Sequence, residues 1–183
     1  MEITTTPIAG LLVLTPPVFQ DERGYFLESF NAKKLEEAGI STSFVQDNES
    51  KSSRGVVRGL HYQLNPHAQA KLVRVVEGLV FDVAVDLRKS SPTFGQWFGV
   101  ELSGENKKQL YIPRGFAHGF SVLSETAIFS YKCDGYYHPQ SERGILLNDP
   151  ELNIDWHVNG NGLLVSQKDR ANKLFRDAEY NFS

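Results

Sequence analysis

The stretch Phe81-Asp82-Val83-Ala84-Val85-Asp86-Leu87 reads as a β-strand, because large apolar residues at every second position alternate with Asp82, Ala84 and Asp86. Successive strand side chains point to opposite faces, so a period of two separates one face from its reverse. The same period recurs in Phe98, Val100 and Leu102 against Gly99, Glu101 and Ser103. It recurs again in Ala127, Phe129, Tyr131 and Cys133 against Ser130 and Lys132. Turn-forming clusters part these runs: Ser91-Pro92-Thr93, Ser103-Gly104-Glu105-Asn106 and Pro113-Arg114-Gly115. Many short strands at this spacing predict an antiparallel sandwich or barrel.

Helices are few. Asn31 is a natural N-cap, Ala32 to Ala38 a helical body and Gly39 a C-terminal stop. Near the end, Ser166-Gln167-Lys168-Asp169 resembles a helix start and predicts a short polar helix to about Ala178. No repeat, linker or low-complexity stretch divides the chain. One domain over residues 1–183 is expected, with its barrel core at about 44–150 and the flanking segments packed upon it.

The 183 residues are 40% hydrophobic and 22% charged, an ordinary globular balance. A net charge of -3 offers no basic field for nucleic acid, so an anionic ligand must be held by a few placed Arg and Lys. Cys133 is the one cysteine, so no internal disulfide forms and an oxidising compartment is not required. The segment Met1 to Pro7 lacks the basic start of a signal peptide. The most apolar run, Leu72 to Leu87, is interrupted by Arg74, Glu77, Asp82 and Asp86, which does not suit a bilayer. A cytoplasmic protein without nucleic-acid or membrane partners is expected.

Two segments stand out chemically: Gly55-Val56-Val57-Arg58-Gly59-Leu60-His61-Tyr62-Gln63 and Ile112-Pro113-Arg114-Gly115-Phe116-Ala117-His118-Gly119-Phe120. They resemble the two motifs of the cupin superfamily, which implies a mainly β, jelly-roll β-barrel with a few short peripheral helices and a site in the barrel mouth. A metal-binding cupin would carry a second histidine where Gln63 stands, a glutamate soon after and an asparagine near Val122. With those missing, His61 and His118 make a poor metal site, since open catalytic centres usually use about three protein ligands. No metal and no redox cofactor are expected.

Further blocks narrow the resemblance. Phe19-Gln20-Asp21-Glu22-Arg23-Gly24-Tyr25-Phe26-Leu27-Glu28-Ser29-Phe30, Phe44-Val45-Gln46-Asp47-Asn48, Arg58-Gly59-Leu60-His61 and Gln69-Ala70-Lys71-Leu72-Val73-Arg74-Val75 resemble the dTDP-4-dehydrorhamnose 3,5-epimerase family. So do Phe81 to Arg88, Ser91 to Trp97 and Tyr131-Lys132-Cys133-Asp134-Gly135-Tyr136-Tyr137, in the family's order from about Phe19 to Asp169.

The resemblance implies a dTDP-4-keto-6-deoxy sugar as substrate and proton transfer beside its ketone. Inverting such a carbon needs a base on one face, an acid on the other and a group to hold the enolate oxygen. His61 is implied as base, Asp169 as its hydrogen-bond partner, Lys71 as the cation at the oxygen and Tyr131 as acid. Strand parity independently groups Lys71 with Val73 and Val75, and Tyr131 with Ala127 and Phe129. Tyr137 is implied to stack on thymine. Arg23, Arg58 and Lys168 are implied at or near the diphosphate, and Glu28, Gln46, Asp47, Asn48, His118 and Glu142 as further substrate contacts. Arg58 and His61 lie three apart, which in a regular strand sends them to opposite faces; either a bulge or bend at Gly59 reconciles them or Arg58 reaches the ligand from the rim. A homodimer is also implied, with N-terminal residues near Arg23 reaching the neighbouring site.

Three other readings stay open on sequence. A 3-only epimerase would use the same residues. A metal-dependent cupin oxygenase would recruit His61, His118 and His67. A sugar-binding or structural jelly roll would use Trp97, Tyr137 and Trp156 as stacking surfaces.

Overall fold

The alternating run at Phe81 forms the strand β8 (Leu79–Asp86) of a computed structural model that describes residues 1–158 and 163–183. The other strands are β1 (Glu2–Thr5), β2 (Leu12–Thr15), β3 (Val18–Asp21), β4 (Gly24–Leu27), β5 (Gln46–Ser53), β6 (Val57–Gln63) and β7 (Lys71–Glu77). After β8 come β9 (Trp97–Ser103), β10 (Gln109–Ile112), β11 (Phe116–Val122), β12 (Thr126–Cys133) and β13 (Glu142–Gly144).

Strands β5 to β12 are nested. β8 pairs with β9, β7 with β10, β6 with β11 and β5 with β12, all antiparallel. A long hairpin folded about the turn at Ser91-Pro92-Thr93 has therefore been wound into two facing sheets, which is the jelly-roll topology. One sheet runs β1-β2-β10-β7-β12-β5, the other β13-β6-β11-β8-β9, and β3 with β4 forms a separate hairpin. The two sheets stay separate ladders rather than closing into one hydrogen-bonded barrel.

Both sheets are covered on both faces, which changes the meaning of the alternation in β8. Phe81, Val83 and Val85 join Leu60, Tyr62, Trp156 and Phe175 in a core behind the five-stranded sheet. Val80 and Ala84 face inward to Val73, Val75, Leu110, Phe120 and Phe129, between the sheets. Leu14, Leu72, Leu35 and Ile40 fill a third core on the outer face of the six-stranded sheet. The polar phase of β8 is thus buried as well, and each carboxylate there has its partners. Asp86 accepts from Ser91 Oγ at 2.6 Å, Thr93 Oγ1 at 2.8 Å and the Arg88 guanidinium at 2.7 and 2.8 Å. Burial pushes its pKa up, but these donors outweigh that and hold it below the usual carboxylate value. They also pin the turn about which the long hairpin folds.

The first helix, α1 (Ala32–Glu37), has the expected cap: Asn31 accepts from the Lys34 N–H at 3.2 Å, and Gly39 takes φ 82°. The last segment departs from expectation. A helix α2 (Gln167–Arg170) ends after one turn, and a 3-10 turn follows at Phe175–Asp177. Lys173 instead forms a parallel bridge to Ile145, and buried Phe175 donates its N–H to Asp149 Oδ2 at 2.7 Å. Docking of these backbone groups on the sheet edge outweighs helix continuation.

Candidate functional site

Between the sheets opens a cleft of about 600 Å³ lined by His61, Lys71, His118, Tyr131, Arg58 and Asp169 among others. His61, Lys71 and Tyr131 also line a second chamber of about 250 Å³, shared with Gln46, Asn48, Tyr137 and Glu142. The three side chains thus stand where the two chambers meet. His61 comes from β6 in one sheet, while Lys71 and Tyr131 come from β7 and β12 in the other. Imidazole and phenol therefore project from facing sheets. The Lys71 ammonium lies 5.7 Å from the centre of the Tyr131 ring.

Gly59 resolves the spacing of Arg58 and His61. His118 pairs with His61 and Phe120 with Arg58, so three steps on β6 oppose two on β11. That is a β-bulge, and it turns both side chains into one cleft. Gly59 adopts φ 134°, and a Cβ there would lie 2.6 Å from Gly119 Cα. Only glycine fits. Arg58 is steadied by two hydrogen bonds from its guanidinium to Ser52 Oγ, both 3.1 Å.

The His61 Nε2 lies 2.6 Å from Asp169 Oδ1. Asp169 sits on the single turn of α2, where Ser166 Oγ accepts its N–H at 3.0 Å, so the same residue serves both the cap and the imidazole. Burial pushes the Asp169 carboxyl up, but the bond to His61 and the approach of the Gly59 N–H outweigh it and hold the pKa below the usual range. An ionised carboxylate can only accept, so a neutral imidazole here would carry its hydrogen on Nε2 and keep the lone pair on Nδ1. Burial raises the Tyr131 phenol above its ordinary value, opposed by Arg58. Burial likewise lowers the Lys71 ammonium below the usual lysine value, while Cys133, Asp82 and Glu142 act against that change.

At the rim, Glu142 accepts from Tyr137 Oη at 2.6 Å and pairs with Lys168 Nζ at 2.6 Å. The Tyr137 ring is half exposed beside the smaller chamber, and Gln46 Oε1 accepts its N–H at 3.2 Å. Burial works to raise the Glu142 pKa, but these two partners hold it down; the bond to Glu142 raises those of Tyr137 and Lys168.

Not every candidate residue faces this cleft. Asp47 falls on the opposite phase of β5 from Gln46 and Asn48 and pairs with Lys132 at 2.9 Å. Arg23 lies on the exposed β3–β4 hairpin, bound to Asp21 at 2.6 Å, and Glu28 beyond it pairs with Lys34 at 2.8 Å. Two of the three alternative aromatic surfaces, Trp156 and Trp97, are likewise engaged elsewhere. Trp156 is buried, donating to the Leu147 carbonyl, and Trp97 packs on the same core with its N–H on Leu152.

Gln63, where a metal-binding cupin would place histidine, is buried and joins two loops: it donates to the His67 carbonyl at 2.7 Å and accepts the His138 N–H at 2.6 Å. His67 stacks on His138 with ring centres 3.7 Å apart, away from the cleft. Among the described residues no group of three or more His, Cys, Asp or Glu is disposed to hold a metal ion. Sequence reasoning missed Ser50 and Ser52, although the polar phase Gln46-Asn48-Ser50-Ser52 of β5 marks them.

Residues 5–177 match the family model described as dTDP-4-dehydrorhamnose 3,5-epimerase. The dTDP-4-dehydrorhamnose 3,5-epimerase of Shigella flexneri is 59% identical over 181 residues, 98% of this chain and 99% of that protein. Among solved structures, the enzyme of that name from Elizabethkingia anophelis NUHP1 superposes with a TM-score of 0.93 at 56% identity, covering 97% of each chain. The dTDP-6-deoxy-D-glucose-3,5-epimerase of Legionella pneumophila Philadelphia 1, in complex with dTDP-4-keto-L-rhamnose, gives a TM-score of 0.93 at 56% identity over 96% of this chain and 93% of that one. A cleft that sets imidazole against phenol on a cupin-like jelly roll thus coincides with likeness over nearly the whole length, and the chain belongs to the dTDP-4-dehydrorhamnose 3,5-epimerase family.

Proposed function

We propose that this chain converts dTDP-4-dehydro-6-deoxy-D-glucose to dTDP-4-dehydro-L-rhamnose, inverting the two carbons that flank the C4 ketone. The observation carrying this reading is the meeting of His61, Lys71 and Tyr131 at the junction of two chambers, with Asp169 2.6 Å behind the imidazole.

The chemistry follows from the groups present. The His61 Nδ1 lone pair takes the proton from C3 or C5, and the electrons of that C–H bond move into the carbonyl, leaving charge on O4. Asp169 balances the imidazolium that forms, and the Lys71 ammonium hydrogen-bonds the enolate oxygen; aimed donors in a water-poor cleft typically contribute about 3–4 kcal/mol. The Tyr131 hydroxyl then delivers a proton to the opposite face of the same carbon. Phenolate and imidazolium exchange with solvent, and the cycle repeats at the second carbon. A raised phenol pKa suits this order, since Tyr131 stays protonated until a carbanion is there to receive the proton. Arg58 and Lys168 offer charge for the diphosphate, and Tyr137 a ring for thymine.

The exposed aromatics of the β3–β4 hairpin, Phe19 and Phe26, support a homodimer in which Arg23 and Glu28 serve the neighbouring site. A nucleotide-sugar substrate and a lone buried cysteine favour the cytoplasm, and the cores shared between successive strands favour one domain over residues 1–183. The test is product stereochemistry. Purified protein given the 4-keto substrate should yield the L-lyxo sugar by proton NMR coupling constants. Inversion at C3 alone would select the single epimerase, and an unchanged sugar would overturn the reading.

A further inference from the structure

Tyr137 poses a problem of placement. It is 52% exposed and its neighbour Tyr136 73%, so core packing does little to fix the segment that carries them. That segment, residues 134–138, is an irregular link between β12 and a 3-10 turn at Pro139–Ser141. A stacking ring that its ligand had to order would subtract the ordering cost from affinity. Contacts other than burial must therefore hold Tyr137 in place.

Side-chain amides supply them. Gln69, in the connection between β6 and β7, donates from Nε2 to the Gly135 carbonyl at 2.6 Å. Gln63, the last residue of β6, accepts the His138 N–H on Oε1 at 2.6 Å, and its Nε2 lies 3.5 Å from the Tyr136 carbonyl. The same Nε2 donates to the His67 carbonyl at 2.7 Å, so both ends of this amide are taken up by backbone. Gln46 Oε1 accepts the Tyr137 N–H at 3.2 Å. Successive residues from 135 to 138 thus each set a backbone polar group against a glutamine amide. At the foot of the segment, Asp134 Oδ1 accepts the Ala70 N–H at 2.7 Å, and Oδ2 accepts from Arg114 Nε at 2.8 Å. Gln63 is 5% exposed and stands two residues after His61, on the same phase of β6. One strand therefore sets both the imidazole and the segment bearing Tyr137, which ties the position of one ring to that of the other.

We propose that Gln63 and Gln69 are positioning residues for nucleotide recognition, a pair of amides that hold Tyr137 ready to receive the thymine ring. The inference rests on the epimerase reading above. Both glutamines line the smaller chamber, but their amides turn to the backbone of residues 135–138; they act through Tyr137 rather than on the ligand.

The test pairs binding with turnover. Gln69→Met and Gln63→Met keep side-chain length but lose the amide. In each, the Kd of dTDP by calorimetry should rise about five- to tenfold. KM for the 4-keto sugar should rise in step while kcat stays within about twofold, since ground-state binding is affected. Added to Tyr137→Leu, either change should raise Kd less than about twofold beyond Tyr137→Leu alone, because the ring to be placed is gone. An unchanged Kd in either single variant, a fall in kcat at constant KM, or the same fold-loss with and without the Tyr137 ring would overturn the proposal. Should the buried change Gln63→Met fail to fold, the half-buried Gln69→Met carries the cycle alone. Wild-type protein is assayed first: if it leaves the sugar unchanged, the epimerase reading fails and the amide pair is still judged on Kd for dTDP. Active wild type with unshifted glutamine variants sinks this inference alone.

Discussion

His61 and Asp169 are joined by a 2.6 Å hydrogen bond across 108 residues of chain. Strand β6 supplies the imidazole and the single turn of α2 supplies the carboxylate, so the C-terminal segment completes a site otherwise built by the jelly roll. Asp169→Asn keeps the shape but loses the charge that, in the proposed mechanism, balances imidazolium and fixes the tautomer. Turnover should drop about 10²- to 10⁴-fold with little change in dTDP affinity, read by steady-state kinetics and calorimetry. An undiminished rate would remove Asp169 from the chemistry.

Tyr131→Phe separates the two half-reactions. Without the phenol, proton removal by His61 persists, but no donor waits on the opposite face. In deuterium oxide the variant should exchange the hydrogen next to the ketone while the recovered sugar retains its configuration. NMR of recovered substrate reads both properties at once, and inversion at the wild-type rate would displace Tyr131 as the acid.

The depressed pKa of Asp169 has a sign that stability measurements can check. A carboxyl whose folded pKa lies below its unfolded one stabilises the protein above the unfolded value, near 3.8 for Asp, and that contribution is lost as pH falls through the folded value. Asp86 behaves likewise through Arg88, Ser91 and Thr93. Melting curves should therefore drop steeply on acidification below about pH 4. The drop should be shallower for Asp169→Asn, which has no such proton to take up.

Much of this was legible in the residues. The period-two runs gave the strands of β8, β9 and β12, Asn31 and Gly39 gave the ends of α1, and parity gave the facing of Tyr131 and Lys71. What stayed hidden depended on partners remote in sequence. The length of α2 was overstated because a polar helical pattern cannot reveal that Lys173 bridges Ile145 and Phe175 docks on Asp149. The orientation of Asp47 was recoverable from parity with Gln46 and Asn48, but the motif drew all three together. Alternation put Asp82 on the face opposite Phe81 and Val83, and only the second sheet shows that face to be interior.

Gly59 tests the bulge. In Gly59→Ala the added methyl meets Gly119 backbone at a positive φ, which should cost about 1–3 kcal/mol and lower Tm by several degrees. Activity should fall further than stability alone explains, because Arg58 and His61 share a cleft only through that irregularity. A folded Gly59→Ala protein with wild-type kcat/KM would show the bulge to be dispensable.

Glu142→Gln should loosen the rim without touching the chemistry. Tyr137 and Lys168 lose a charged acceptor, so KM should rise about fivefold with kcat nearly unchanged. A fall in kcat at constant KM would instead assign Glu142 to the reaction step.

The central claim is that one imidazole removes, and one phenol returns, the hydrogens on both carbons beside the ketone. Mass-resolved NMR of the product formed in deuterium oxide examines this directly. Wild-type protein should leave deuterium at C3 and at C5, and His61→Asn should leave it at neither. Inversion of both centres without solvent deuterium at either carbon, or continued exchange in His61→Asn, would contradict it.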